Sequence, residues 1–67
     1  MISLTINGTP RTFDRALNCA DLIRELDLAG KRIAMERNGE IVPRSQFAQC
    51  LLQDGDRLEI VVAVGGG

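Results

Sequence analysis

Arg57-Leu58-Glu59-Ile60-Val61-Val62-Ala63-Val64 reads as the final and most apolar strand of the chain, and it follows the turn signal Asp54-Gly55-Asp56. Side chains alternate across a strand, so Leu58, Ile60 and Val62 form one set and Glu59, Val61 and Ala63 the other. With the first set turned toward a helix, Val61 and Ala63 lie on the open face of a sheet. A closing strand this apolar fits a position beside another strand in a covered sheet.

The rest of the chain supplies its neighbours. Ile2, Leu4 and Ile6 alternate with Ser3, Thr5 and Asn7, the period of a half-buried strand. Asn7-Gly8 follows, a dipeptide suited to a tight hairpin because both central residues need positive φ. The return segment, Thr9 to Asp14, contains Pro10, which cannot donate a ladder hydrogen bond and so belongs on an edge. A helix is then predicted, with Asn18 as N-cap, Asp21 at its third position and Leu17 and Leu22 as a hydrophobic staple. Cys19, Leu22, Ile23 and Leu26 form its apolar stripe, and Gly30 is placed to end it. Ile33 to Arg37 reads as a strand, Asn38-Gly39 as a second hairpin, and Ile41-Val42 as a short return stopped by Pro43. Ser45 to Leu52 reads as a turn of helix and a packed loop, with Phe47, Leu51 and Leu52 as core candidates.

Hairpin, helix, hairpin, closing strand is the order of an α+β domain of the β-grasp (ubiquitin-like) type, a mixed sheet wrapped on one main helix. In that fold the first and last strands are adjacent and parallel. A ferredoxin-like split would open with one strand and then a helix. The expected organisation is one domain over residues 1–64 and a flexible glycine tail over 65–67.

Composition narrows the function. The chain has 67 residues, room for one modest core and little space for a catalytic pocket. Its net charge is -1, with both signs dispersed and only two phenylalanines, which argues against nucleic acid. The apolar run Ile60 to Val64 is far too short to span a bilayer, and no charged leader precedes an apolar stretch, so a cytoplasmic protein without membrane contact is expected. Histidine and CxxC are absent, which leaves no metal site to expect.

Gly65-Gly66-Gly67 continues directly from the closing strand. A frayed end is the plain reading of a glycine run. Here a rigid strand aims it, and three extended residues reach roughly 10 Å, slim enough to enter a narrow cleft. Met1 to Gly8, Asn38-Gly39-Glu40-Ile41-Val42-Pro43-Arg44, Asp54-Gly55-Asp56 and Val61 to Gly67 together resemble the ubiquitin-like sulfur carriers. The similarity is closest to the ThiS family of thiamine biosynthesis and covers the whole chain. The small subunit of molybdopterin synthase is the neighbouring class. Its members commonly carry a Pro-Pro pair before the terminal glycines, where this chain has Val61-Val62-Ala63-Val64. A ubiquitin-like binding or modifier module is the other alternative.

The resemblance implies a protein cosubstrate and sulfur donor, not an enzyme. It assigns the covalent role to the carboxylate of Gly67, adenylated by an E1-like adenylyltransferase and then converted to a thiocarboxylate, with Gly66 and Gly65 giving slim access. ATP and Mg would be used by that partner, and no cofactor is expected on this chain, which lacks a P-loop. A sulfur donor system and a thiazole synthase are the other implied partners. Val61, Ala63 and Val64 are candidates for a docking patch, with Arg44 and Arg57 as candidates to flank it. Cys19 sits where a helix dipole favours a thiolate, yet it also lies on the apolar stripe. Core packing is the preferred reading for Cys19 and Cys50.

Overall fold

The computed structural model describes residues 1–63, so Val64, Gly65, Gly66 and Gly67 lie outside the described residues. Five strands and one α-helix appear in the expected order: β1 (Ile2–Ile6), β2 (Thr9–Phe13), α1 (Cys19–Glu25), β3 (Ile33–Arg37), β4 (Glu40–Val42) and β5 (Arg57–Val62), with a 3-10 helix over Arg44–Gln49. The sheet order is β2-β1-β5-β3-β4. β5 is parallel to β1 and antiparallel to β3. This is the β-grasp arrangement, with the most apolar strand at the centre and Pro10 on an outer strand.

Both Asn-Gly pairs form turns with positive φ at both central residues, Asn7 and Gly8 in one and Asn38 and Gly39 in the other. Their side chains do more than tolerate that backbone. The Asn7 amide accepts from the Ile60 N–H at 2.7 Å and donates to the Ile60 carbonyl at 3.0 Å. It continues the parallel β1–β5 ladder after the main chain has turned away. On the other side of β5, the Asn38 amide accepts from the Arg57 N–H at 2.9 Å and donates to Asp56 at 3.1 Å.

α1 begins as the sequence predicts. Asn18 and Asp21 form a reciprocal capping box, and Leu17 and Leu22 are both buried. Its end differs from the expectation that Gly30 closes it. Asp27, at φ +60, takes the left-handed cap position; its N–H reaches the Arg24 carbonyl and the Leu28 N–H reaches that of Ile23. This is the paired bonding of a Schellman cap, with aspartate where glycine is usual. Leu28 packs against the core, which anchors the early stop. Gly30, at φ +85, instead serves the next turn, in which the Lys31 N–H returns to Leu28.

The core joins Leu4 and Ile6 of β1, Met35 of β3 and Leu58 and Ile60 of β5 to the buried face of α1, and Phe47 and Leu52 close it from the 3-10 side. Leu51 was expected there but is 57% exposed. It pairs with Asn18 in an isolated bridge, and because neighbours in an extended segment point opposite ways, burying Leu52 turns Leu51 outward. The closing strand also ends at Val62, short of the expected Val64.

Asp56 is the buried charged residue of the described core. Its carboxylate accepts from the Arg37 Nε at 2.8 Å, the Asn38 amide and the Gln53 N–H at 2.9 Å. Burial alone would raise this carboxyl, but the Gln53 N–H, the Asn38 amide and the Arg37 guanidinium together hold it below the usual carboxylate range. Asp56→Ala should therefore lower the unfolding free energy by about 2–3 kcal/mol, read by urea denaturation. The depressed folded value also sets the sign of the pH dependence: the contribution is complete at neutral pH and drains away as pH falls below the ordinary 3.8. Asp56→Asn should be less stable than the parent at neutral pH and lose less stability on acidification to about pH 3.

Candidate functional site

The sheet packs its Leu58 and Ile60 face on α1 and leaves the other open. On that open face β5 presents Arg57, Glu59 and Val61 in succession, all exposed. The β3–β5 register sets Ala34 opposite Val61 and Glu36 opposite Glu59, and the β3–β4 register sets Ile41 beside Glu36. Val61 is 64% exposed and Ile41 75%. The result is an apolar spot, Val61 with Ala34, bordered by two facing carboxylates and an outlying isoleucine. Like charges set directly opposite each other in a sheet repel, so this pair weakens the free domain slightly.

Ala63 follows β5, exposed, and its N–H is held by the Arg32 carbonyl at 2.9 Å. The main chain thus remains pinned up to the last described residue. Arg44 opens the 3-10 helix and donates to the Lys31 carbonyl at 3.3 Å, on the side of the domain where β3 begins and β5 ends. Arg57 lies at the opposite end of β5, about 16 Å of strand from Val62. The two arginines therefore sit at opposite ends of the sheet. Val64, Gly65, Gly66 and Gly67, the other candidates, lie outside the described residues.

Ala34, Glu36 and Ile41 were not singled out from sequence. The alternation of Ile33 and Met35 with Ala34 and Glu36 marks which residues share a face, but only the strand register brings Ala34 to Val61. The cysteines are also clarified. Cys19 is fully buried in the core, and burial, with the adjacent Cys50 thiol adding to it, pushes its thiol up to about 12. Desolvation overrides the favourable helix start. Cys50 is half-buried and packs against the same core.

Fold and site define a ubiquitin-like β-grasp domain with an open sheet face beside the root of a C-terminal glycine run. Residues 4–67 match the ThiS family. The chain is 37% identical over 60 residues to the sulfur carrier protein ThiS of Escherichia coli, covering 81% of this chain and 91% of that protein. The crystal structure of a thiamine biosynthesis protein (ThiS) from Geobacter metallireducens superposes with a TM-score of 0.83 at 36% identity, covering 98% of this chain and 100% of the other. A thiazole synthase of Paramagnetospirillum magneticum is 46% identical over 66 residues, which are 98% of this chain but 20% of that protein, so the chain spans about a fifth of that relative's length. The chain belongs to the ThiS family. Among the described residues, no helix is long and apolar enough to cross a membrane.

The two faces of β5 make opposite demands on substitution. Val61→Asp should change unfolding free energy by no more than about 0.5 kcal/mol, since the side chain already meets water. Ile60→Asp should prevent folding at room temperature by burying an unpaired carboxylate. Circular dichroism melting of the two variants checks the assignment.

Proposed function

We propose that this protein carries sulfur for thiazole formation in thiamine biosynthesis as a thiocarboxylate on Gly67. The observation that carries the reading is the extent of the family match, which runs through the terminal glycines to Gly67. β5 and the Arg32–Ala63 hydrogen bond support it by fixing the root from which those residues depart.

A carboxylate is a poor acceptor of sulfur because oxide would have to leave. Attack of the Gly67 carboxylate on the α-phosphate of ATP, in an E1-like partner that supplies Mg, expels pyrophosphate and leaves an acyl-adenylate. A sulfur nucleophile from a donor system then displaces AMP, a good leaving group, and the C–O bond to phosphate is replaced by C–S. The resulting thiocarboxylate passes its sulfur to a thiazole synthase. The glycines allow this because they add no bulk beside the reacting carbonyl. Need for ATP makes the cytoplasm the fitting compartment.

Two relatives named thiazole synthase contain a segment matching 98% of this chain, each within a protein about five times its length. A carrier domain joined to a synthase meets it at high effective concentration, which supports a synthase as the acceptor when the two are separate. The open face would provide docking, with Val61 and Ala34 against an apolar surface and Glu36 and Glu59 against a basic group that relieves their repulsion.

Incubation with the E1-like enzyme, ATP and a sulfide source should raise the intact mass by the exchange of one oxygen for sulfur. Deleting Gly67, or adding one residue after it, should leave the melting curve unchanged and abolish that gain. Sulfur loading of either variant at the parent rate would overturn the role of the tail. Val61→Asp should keep the maximal adenylation rate at saturating partner but raise the apparent KM about tenfold or more. An unchanged KM in the folded variant would move the docking surface elsewhere.

A further inference from the structure

The two cysteines stand 31 positions apart in sequence and side by side in the fold. The Cys19 N–H donates to the Cys50 carbonyl at 3.0 Å, next to the Asn18–Leu51 bridge, so the two residues face each other across a short antiparallel pairing. Residues so opposed have Cα atoms at roughly 5.5 Å, within the disulfide range of about 4.4–6.8 Å. Directly opposed residues of an antiparallel pairing project to the same face, so the two side chains are neighbours.

Their environments differ in a way that orders their reactivity. Cys19 is shut inside the core. Cys50 lines an open groove of about 440 Å³ with Arg37, Glu40, Val42, Pro43 and Gln46. The Arg37 guanidinium, whose Nε is committed to Asp56, turns its Nη1 to the Cys50 sulfur at 3.7 Å. A small oxidant entering the groove meets Cys50 before it can reach Cys19.

We infer that Cys50 and Cys19 form a peroxide-sensitive dithiol, with Cys50 as the entry thiol and Cys19 as the resolving thiol, closing to an internal disulfide. In the first step the Cys50 sulfur attacks a peroxide oxygen. An S–O bond forms, the O–O bond breaks, the sulfur is oxidised by two electrons and one water leaves, giving a sulfenic acid. In the second step the Cys19 sulfur attacks the Cys50 sulfur. The S–S bond forms, the S–O bond breaks, and the departing hydroxide takes the Cys19 proton to leave as a second water. A reducing thiol reverses the disulfide. The bond would tie the start of α1 to the segment after the 3-10 helix, away from the open sheet face, and this inference stands apart from the carrier reading.

The test is hydrogen peroxide on the full-length folded protein, followed by intact mass and tryptic mapping without reduction. The mass should fall by about 2 Da, the loss of two hydrogens. The peptide Ala16–Arg24 should appear linked to Ser45–Arg57, and dithiothreitol should restore both. Cys50→Ala should show no oxidation at Cys19 under the same treatment while folded, any methionine sulfoxide being mapped separately to Met1. Cys19→Ala, if it folds, should hold a sulfenic acid at Cys50 that dimedone traps; if it does not fold, the map of the parent protein still decides. Stable addition of oxygen to the Ser45–Arg57 peptide of the parent, without the linked peptides, would overturn the inference. So would linkage between two chains, or oxidation of Cys19 in folded Cys50→Ala.

Discussion

Two asparagine side chains hold the closing strand in the middle of the sheet. Asn7 gives β5 an amide that both donates and accepts at Ile60, and Asn38 accepts from Arg57 at the strand's start. A parallel pairing cannot be made by a hairpin, because its strands are joined only through the rest of the chain. In this fold β5 comes 50 residues after β1 ends and must find its register among other apolar possibilities. A slip of one residue would turn Leu58 and Ile60 to water and Glu59 into the core. The asparagine amides bind specific backbone groups of β5, at Arg57 and at Ile60, and so oppose the slip from both neighbouring hairpins. The turn residues that fold each hairpin locally thereby fix the longest-range contact in the domain.

Asp56 extends the same device. It ends the turn before β5, and its carboxylate draws in the Asn38 amide, the Arg37 guanidinium and the Gln53 N–H. A buried carboxylate with one partner would be a burden on a domain this small. With its neighbours supplied by both the second hairpin and its own turn, it forms a connected polar network in which no described buried side-chain atom lacks a partner. Arg37 carries the network further, to the Cys50 sulfur. Hairpin, closing turn and 3-10 segment are thus tied by polar contacts where the hydrophobic core thins.

The elements themselves were legible because each is written locally. Alternation gave the strands, Asn-Gly the hairpins, and Asn18 with Asp21 the start of α1. What escaped was set by partners distant in sequence. The helix stops at Glu25 because Leu28 finds the core, and Asp27 can adopt a left-handed backbone that the reading reserved for Gly30. Leu51 and Leu52 are alike in composition, and only the bridge to Asn18 decides which of them is buried. On the open face, Val61 was legible from its own strand. Ala34 and Ile41 were not, since their place beside it depends on register across β3. Asp56 could be read as a turn residue but not as the centre of a buried network.

A carrier has to satisfy constraints that conflict in a chain of this size. On the proposed carrier reading, the body must be stable enough to present its terminus repeatedly, yet a docking surface cannot be spent on stability. The sheet resolves the conflict by dividing β5 between its faces: Leu58 and Ile60 are committed to α1, while Val61 and Glu59 remain unspent. In the proposed docking, the facing Glu36 and Glu59 carry this furthest, because their repulsion is a small loss to the free domain that a basic partner would recover on binding. A surface optimised for the isolated domain would place a lysine at one of these positions and lose that difference. Stability is therefore drawn from the asparagine amides, the Asp56 network and the covered face, which leaves the open face free to be selected for what it meets.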